Sequence, residues 1–304
     1  VAQTTAVELH EVSHSYGDTH ALAGVSLSVA RGEMFGLVGP DGAGKTTLLR
    51  VLSGVIAPTG GRVSWRQGLQ RGYLSQGFSL YQDLTVDENL EFFAEIHGIR
   101  EFRRRSAELL GFVGLSPFRR RAAGHLSGGM KKKLALACAL VHRPEVLLLD
   151  EPTTGVDPVS RRDFWTLLVQ LLRNGITVII STPYLDEAER CMRVGLLEHG
   201  AFLAVDTPVE IKRRLRGAVL EIVAGDQRAA YRALLQQGGF DPQQVQPFGD
   251  RLHVISSDDD ADRAADGVRG TLETAGVTCE RIGSIPASLE NAFISLVRER
   301  SAPS

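Results

Sequence analysis

The sequence predicts an α/β fold followed by a small α+β domain. Three observations carry this. Gly39-Pro40-Asp41-Gly42-Ala43-Gly44-Lys45-Thr46-Thr47 fits the pattern GxxxxGK(S/T) at every fixed position. It lies between an apolar run, Met34 to Val38, and a helical pattern from Thr46 to Leu52, the strand-to-helix context that the pattern requires. A second apolar run, Val146 to Leu149, ends in the adjacent carboxylates Asp150 and Glu151.

Taken in order, Val7 to Ser13 and Ala21 to Val29 alternate like strands and predict a small antiparallel sheet ahead of the glycine loop. Tyr16 falls in the turn between them, where an aromatic ring either stacks on an adenine face or serves as a half-buried structural residue. In the loop, glycines let successive N–H groups turn inward onto phosphate oxygens, and the helix N-terminus adds its positive dipole end. Lys45 would reach the β- and γ-phosphates, and the Thr46 hydroxyl would ligate Mg²⁺. Arg62 to Trp65 and Gly72 to Ser75 read as short strands, the second ending at Gln76, whose amide can bind Mg²⁺ or position water.

From Val86 to about Val113 the pattern turns helical, with one helix through Asp87 to His97 and a second from Glu101 to Phe112. This is a helical insertion, residues 86 to 142, between strands of the sheet. Near its end Ser127 is placed to cap a helix running through Lys131 to Val141, so Ser127-Gly128-Gly129 makes a second anion cradle. Beyond it, Asp150 at the strand end can hold Mg²⁺ and Glu151 can face an attacking water as general base. Gly155 to Pro158 is a turn into a helix and Thr177 to Ser181 a strand. Thr182-Pro183 then leads into a predicted helix, Tyr184 to Met192.

Thr207-Pro208-Val209-Glu210 has capping-box spacing and opens a basic helix that stops at Gly217, which closes the first domain at residues 1 to 217. Residues 218 to 304 then alternate between strand and helix patterns. Strands are read at Ala218 to Ala224, Leu252 to Ser256 and Thr278 to Ser284, and helices at Tyr231 to Gln237, Ala261 to Ala275 and Ser288 to Arg300. The order suits a small α+β domain, with a ferredoxin-like arrangement as one form of it. Asp258-Asp259-Asp260 reads as a solvated helix start.

The 304 residues leave room for about two domains. A formal net charge of −2 gives no global basic field, so no nucleic-acid partner is expected. Ten Lys/Arg against two acidic residues do cluster between Arg100 and Lys133, in triplets ending at Arg105, Arg121 and Lys133. They read as a solvated helical face or as a surface near anionic lipid head groups. Three isolated cysteines, Cys138, Cys191 and Cys279, give neither a disulfide framework nor a metal site. Val1 to Thr5 has neither basic start nor apolar core, so no secretory signal is visible, and no apolar run approaches the roughly 18 to 20 residues that span a bilayer.

These residues resemble the ATP-binding subunit of an ABC transporter. The glycine loop, Gln76, Leu126-Ser127-Gly128-Gly129-Met130, Leu147 to Glu151 and the Gly155 to Asp157 turn follow the family's order over residues 7 to about 217. Leu80 to Leu90 and Ser181 to Glu189 look most like the ATPases of drug and antibiotic exporters with separate small permeases, and residues 218 to 304 resemble an accessory domain appended to some of them.

The resemblance implies two ATPase domains, as a homodimer or heterodimer, meeting head to tail. MgATP would lie between the Lys45 loop of one and the Ser127-Gly128-Gly129 cradle of the other. Tyr16 would stack on adenine, Gln76 would sense Mg²⁺ and γ-phosphate, and the Asp157 turn would link the two sites. A groove beside Gln76 and the helical insertion would take the coupling helix of an integral-membrane permease, placing the chain on the inner face of the cell membrane.

Two residues depart from the family. Met130 stands where glutamine is usual, away from the phosphate-facing groups. Pro183 stands where a histidine usually bonds the γ-phosphate, and losing one such donor costs on the order of 10² to 10³ in rate in other enzymes. Slow hydrolysis at the Lys45 site is therefore expected. Two other readings remain: a soluble ABC-type ATPase acting on ribosomes or nucleic acid, disfavoured by the near-neutral charge, and an ATP-gated subunit that does not hydrolyse.

Overall fold

The computed structural model describes residues 4–77 and 80–301, so Val1 to Gln3 of the opening segment lie outside the described residues. The chain divides into two compact units, one up to Val205 and one from Asp206 onward.

In the first unit, β1 (Thr5–Tyr16), β2 (Thr19–Ala30) and β4 (Gly60–Trp65) form an antiparallel sheet in the order β2-β1-β4. Six further strands form the main sheet. They are β5 (Arg71–Leu74), β6 (Val146–Asp150), β7 (Thr177–Thr182), β3 (Met34–Val38), β8 (Arg193–Glu198) and β9 (Ala201–Asp206), in that order across the sheet. The pairs β5-β6, β6-β7, β7-β3 and β3-β8 are parallel. Parallel strands are covered on both faces and so need continuous apolar runs, and β3, β6 and β7 are buried along their whole length. Their register sets where the strands end: Leu74 pairs with Leu149, Asp150 with Ser181 and Val38 with Thr182. The carboxyl ends of β5, β6, β7 and β3 therefore finish level along one edge, the edge where open α/β sheets bind ligands.

Helix α1 (Lys45–Ser53) follows β3 directly. The helical insertion comprises α2 (Val86–Ile96), α3 (Phe102–Val113) and α4 (Gly128–Ala139). Thr85 and Glu88 close a reciprocal capping box at the start of α2. Ser127 caps α4 as expected, and the helix runs from Gly128 to Ala139, two residues short of the expected Val141. Helix α5 (Pro158–Arg173) is capped by Asp157, whose Oδ1 accepts from the Ser160 N–H at 2.9 Å. The helix expected over Tyr184 to Met192 is only α6 (Leu185–Ala188), because β8 must enter the sheet at Arg193 beside Phe35. Strands β8 and β9 were not expected. Among the described residues no helix is long and apolar enough to cross a membrane.

The second unit contains α7 (Pro208–Arg213), which packs with the final helix α10 (Leu289–Ser301). This packing places the Thr207-capped helix with the second unit, whereas the sequence pattern assigned it to the first domain through residue 217. Between them run β10 (Val219–Ala224), α8 (Gln227–Gln236), β11 (Val245–Phe248), β12 (Arg251–Ile255), α9 (Ala261–Thr274) and β13 (Cys279–Ser284). The sheet order is β11-β12-β10-β13, with each neighbouring pair antiparallel. Leu220, Ile222, Leu252 and Val254 of this sheet form a core with Leu234 of α8 and Val268 of α9. Asp260 caps α9, accepting from the N–H groups of Asp262 and Arg263, so the acidic triplet is a helix start.

One side chain fixes the loop before α2. Asn89 is fully buried; its Oδ1 accepts from the Tyr81 N–H at 2.9 Å, and its Nδ2 donates to the carbonyls of Tyr81, Leu84 and Thr85. Replacing Asn89 by Leu leaves that part-buried N–H without its partner, which costs on the order of 1 kcal/mol. Urea unfolding should show this loss of stability, and hydrogen exchange at Tyr81 should accelerate.

Candidate functional site

The site is built at the level edge. The glycine loop is forced by close packing: a Cβ on Gly39 would lie 2.1 Å from the Leu197 carbonyl oxygen. Gly44, at φ 107°, would put one 2.5 Å from the Ala21 carbonyl oxygen. Gly44 is also the N-cap of α1 and offers no side chain to its N–H groups, which leaves them for an anion. Tyr16, Ala21, Asp41 to Thr47, Gln76 and Glu151 line one cavity of about 450 Å³. Tyr16 is the last residue of β1, half-exposed, its ring edge-on to His14 with centroids 4.7 Å apart.

Lys45 is 4% exposed, and its Nζ donates to the carbonyls of Gly39 at 2.8 Å and Pro40 at 3.0 Å. The same ammonium is 3.4 Å from Glu151 Oε1, while Glu151 Oε2 accepts from Gln76 Nε2 at 2.9 Å. Glu151 holds φ 47°, a left-handed conformation rare for a residue with a side chain and worth roughly 1–3 kcal/mol of strain. Surrounding contacts hold it there. Its N–H donates to Ser181 Oγ at 3.0 Å.

Asp150 lies one residue earlier, 1% exposed. Its Oδ1 accepts from the Thr46 hydroxyl at 3.0 Å and from the Ser181 hydroxyl at 2.8 Å. Its Oδ2 is buried without a hydrogen-bond partner. An orphaned carboxylate oxygen beside a threonine hydroxyl suits a hard divalent cation, and Mg²⁺ is usually held by one or two carboxylates plus phosphate oxygens and water. Among the described residues no three His, Cys, Asp or Glu side chains are placed to hold a metal ion by themselves, so a cation here would draw on phosphate and water as well. Burial pushes the Tyr73 phenol up, and the nearby Asp150 charge adds to it.

Asp41 to Thr47 of the glycine loop, Tyr16, Gln76 and Glu151 thus line one cavity, with Asp150 bonded to Thr46, whereas Gly39 and Pro40 turn their carbonyls to Lys45 and do not line it. Ser127, Gly128 and Gly129 do not line this cavity. They pack instead against the Asp157 turn: a Cβ on Gly129 would lie 2.5 Å from Ser160 Cβ, and one on Gly128 3.9 Å from the Gly155 carbonyl oxygen. Asp157 is engaged as a helix cap, and the Ser160 N–H holds its carboxyl below the usual range. Pro183 does not line the cavity either. Its neighbours are pinned, since the Thr182 hydroxyl donates to buried Glu187 Oε2 at 2.8 Å, as does the Thr153 hydroxyl.

Ser181, Glu187 and Lys132 escaped the sequence reading. Ser181 could have been found from the alignment of strand ends. Lys132 was hidden in a basic triplet expected to form one charged surface; it is 4% exposed, whereas Lys133 pairs with Asp163 at 2.9 Å.

Residues 22–154 match the ABC transporter family. Over 308 residues the chain is 36% identical to the daunorubicin resistance ATP-binding protein DrrA3 of Streptomyces coeruleorubidus, covering 96% of each protein. The chain belongs to the ABC transporter ATP-binding family. It is also 40% identical over 220 residues to the probable multidrug ABC transporter ATP-binding protein YbhF of Escherichia coli, a match that spans 68% of this chain and only 38% of YbhF. Among solved structures, a dimeric ATP-binding cassette in a post-hydrolysis state with ADP and phosphate superposes with a TM-score of 0.60. That match is at 28% identity and covers 66% of this chain and 98% of the other. The fold of this ABC ATPase is thus the family's α/β cassette, with its antiparallel sheet and helical insertion.

Ser181 bridges the two acidic residues of this ABC ATPase, so Ser181→Ala should weaken Mg²⁺ binding and raise the Mg²⁺ concentration needed, before it affects nucleotide binding. Loss of such a supporting hydrogen bond costs about 10- to 100-fold in metal affinity or activity. A Mg²⁺ titration of ATPase activity should shift accordingly, while metal-free nucleotide binding stays close to wild type.

Proposed function

We propose that this chain is the ATP-hydrolysing subunit of an exporter for a drug-like or lipophilic substrate, working through a separate membrane permease. The observation that carries the reading is that Lys45, Thr46, Gln76 and Glu151 line one cavity at the strand ends, with Asp150 bonded to the Thr46 hydroxyl behind it. The names of the relatives support export of such compounds. The backbone N–H groups of Gly42 to Thr46 and the Lys45 ammonium would hold the phosphates. Asp150 and Thr46, with Gln76, would hold Mg²⁺, which supplies charge neutralisation at the phosphate oxygens when bound.

Glu151 would take the proton of the attacking water, with Gln76 orienting its carboxylate. The Lys45 ammonium lies 3.4 Å from Glu151 Oε1. Phosphate would draw the ammonium away and free the base, so that binding arms the site.

Two such domains would close head to tail as a homodimer or heterodimer, bringing Ser127-Gly128-Gly129 of one to the nucleotide of the other. Their exclusion from the Lys45 cavity supports this. A cavity of about 250 Å³ between β5 and the helical insertion, lined by Leu74, Leu80, Phe93 and Cys138 with Arg71, His97 and His142 at its polar side, supports docking of a permease segment there. The permease would hold the chain to the inner face of the cell membrane. For residues 218 to 304 we infer an accessory ferredoxin-like domain, supported by the β-α-β-β-α-β order and the sheet order β11-β12-β10-β13.

Proline offers no donor at position 183, so hydrolysis at this site should be slow. Steady-state MgATPase of the purified chain should be low, abolished by Glu151→Gln and raised on the order of tenfold or more by Pro183→His. An appreciable rate unchanged by Pro183→His would sink the slow-site reading and leave an autonomous ATPase.

A further inference from the structure

Lys132 has a place in the fold that the basic triplet did not suggest. It lies on α4, five residues beyond Ser127, so a single rigid helix carries both the Ser127-Gly128-Gly129 cradle and this side chain. Its ammonium is 4% exposed and donates to the backbone carbonyls of Gln76 at 3.3 Å and Glu151 at 3.4 Å. Burial lowers its pKa, while the nearby Asp150 and Glu151 carboxylates oppose that. A buried ammonium is tolerated only where carbonyls and carboxylates replace water. Here the replacements are the site itself.

The geometry is specific. Gln76 follows β5 and Glu151 follows β6, and their side chains meet at 2.9 Å. Lys132 bonds the backbone carbonyl of each. Glu151 is in the strained left-handed conformation, which persists only when neighbours over-determine it. The Ser181 hydroxyl holds its N–H, and Lys132 holds its carbonyl.

We propose that Lys132 is a positioning residue that aims Gln76 and Glu151 into the cavity and makes their aim depend on where α4 places Ser127 to Gly129. This rests on the reading of Glu151 as the base and of the cradle as serving a neighbouring nucleotide. Engagement of the cradle at one site would then be felt at the other site's hydrolytic residues through one helix and one ammonium.

The test is single-turnover hydrolysis of radiolabelled MgATP by the full-length chain, with fluorescent-nucleotide affinity and thermal melting measured in parallel. Lys132→Met removes the donor, Lys132→Gln keeps a neutral one in case the Met variant fails to fold, and Lys132→Arg keeps the charge. The saturating rate should fall at least about tenfold in the Met or Gln variant. The ATP concentration for half-maximal rate and the nucleotide affinity should stay within about threefold. Lys132→Arg should recover most of the rate. Overturning results are a wild-type rate in Lys132→Met or Lys132→Gln, loss of nucleotide affinity in step with rate, or an arginine variant no better than methionine. Glu151→Gln runs alongside. If it still hydrolyses ATP, the reading of the site fails; if it is inactive while Lys132→Met is not, the inference on Lys132 alone fails.

Discussion

The parallel register of the main sheet is the constraint on which the site depends. Because Asp150 pairs with Ser181, the end of β6 is held to the end of β7 by a side-chain bond as well as by the ladder. Thr46 then closes the third side from the first turn of α1. A one-residue slip in a strand moves every side chain to the other face. Slipping β6 would turn Asp150 away from Thr46 and Ser181 and leave a buried carboxylate with no donor, an uncompensated charge that costs several kcal/mol. The all-apolar stretch Val146 to Leu149 makes the slip possible in principle, since it has no polar face to mark the register. The carboxylate at its end supplies the mark.

How much of this could be read from the sequence depends on whether the chemistry was local. The glycine loop was legible because its spacing, its flanking strand and its flanking helix are contiguous, and the cap at Ser127 was legible for the same reason. Strands β8 and β9 are not legible although Arg193 to Asp206 is rich in apolar residues: their two-residue connection, His199-Gly200, takes positive φ at both positions, but His-Gly is not one of the Asn-Gly or Asp-Gly pairs that announce such a turn. Strand β11 contains Pro247, a residue that argues against a strand except at an edge, and an edge is where the sheet puts it.

Lys132 shows the opposite limit. Three consecutive lysines on a helix point in three directions about 100° apart, so a charge run cannot form one face. Lys133 reaches Asp163, and Lys132 turns inward. The inward direction follows from helical geometry, but only a known partner surface decides which of the three takes it. Sequence periodicity is silent here, because α4 is buried on most sides and carries no clean amphipathic stripe.

Taken together, the buried charges of the site balance. Lys45 and Lys132 carry two positive charges; Asp150 and Glu151 carry two negative ones; all four are at most 5% exposed. In a low-dielectric interior such balance is what makes four ionised groups tolerable at once. A nucleotide triphosphate entering the cavity adds several negative charges to a neutral cluster. The N–H groups at the start of α1 offset part of that charge, and Lys45 can offset more only by leaving Glu151. On the proposed reading, departure of Lys45 would leave Glu151 held by the Gln76 amide and the Thr154 hydroxyl at Oε2 and by Lys132 at its backbone carbonyl, so that the carboxylate stays aimed. On that reading, the electrostatic step that binds phosphate would also free the Glu151 carboxylate, and the orphaned Asp150 Oδ2 is where a divalent cation would restore the balance.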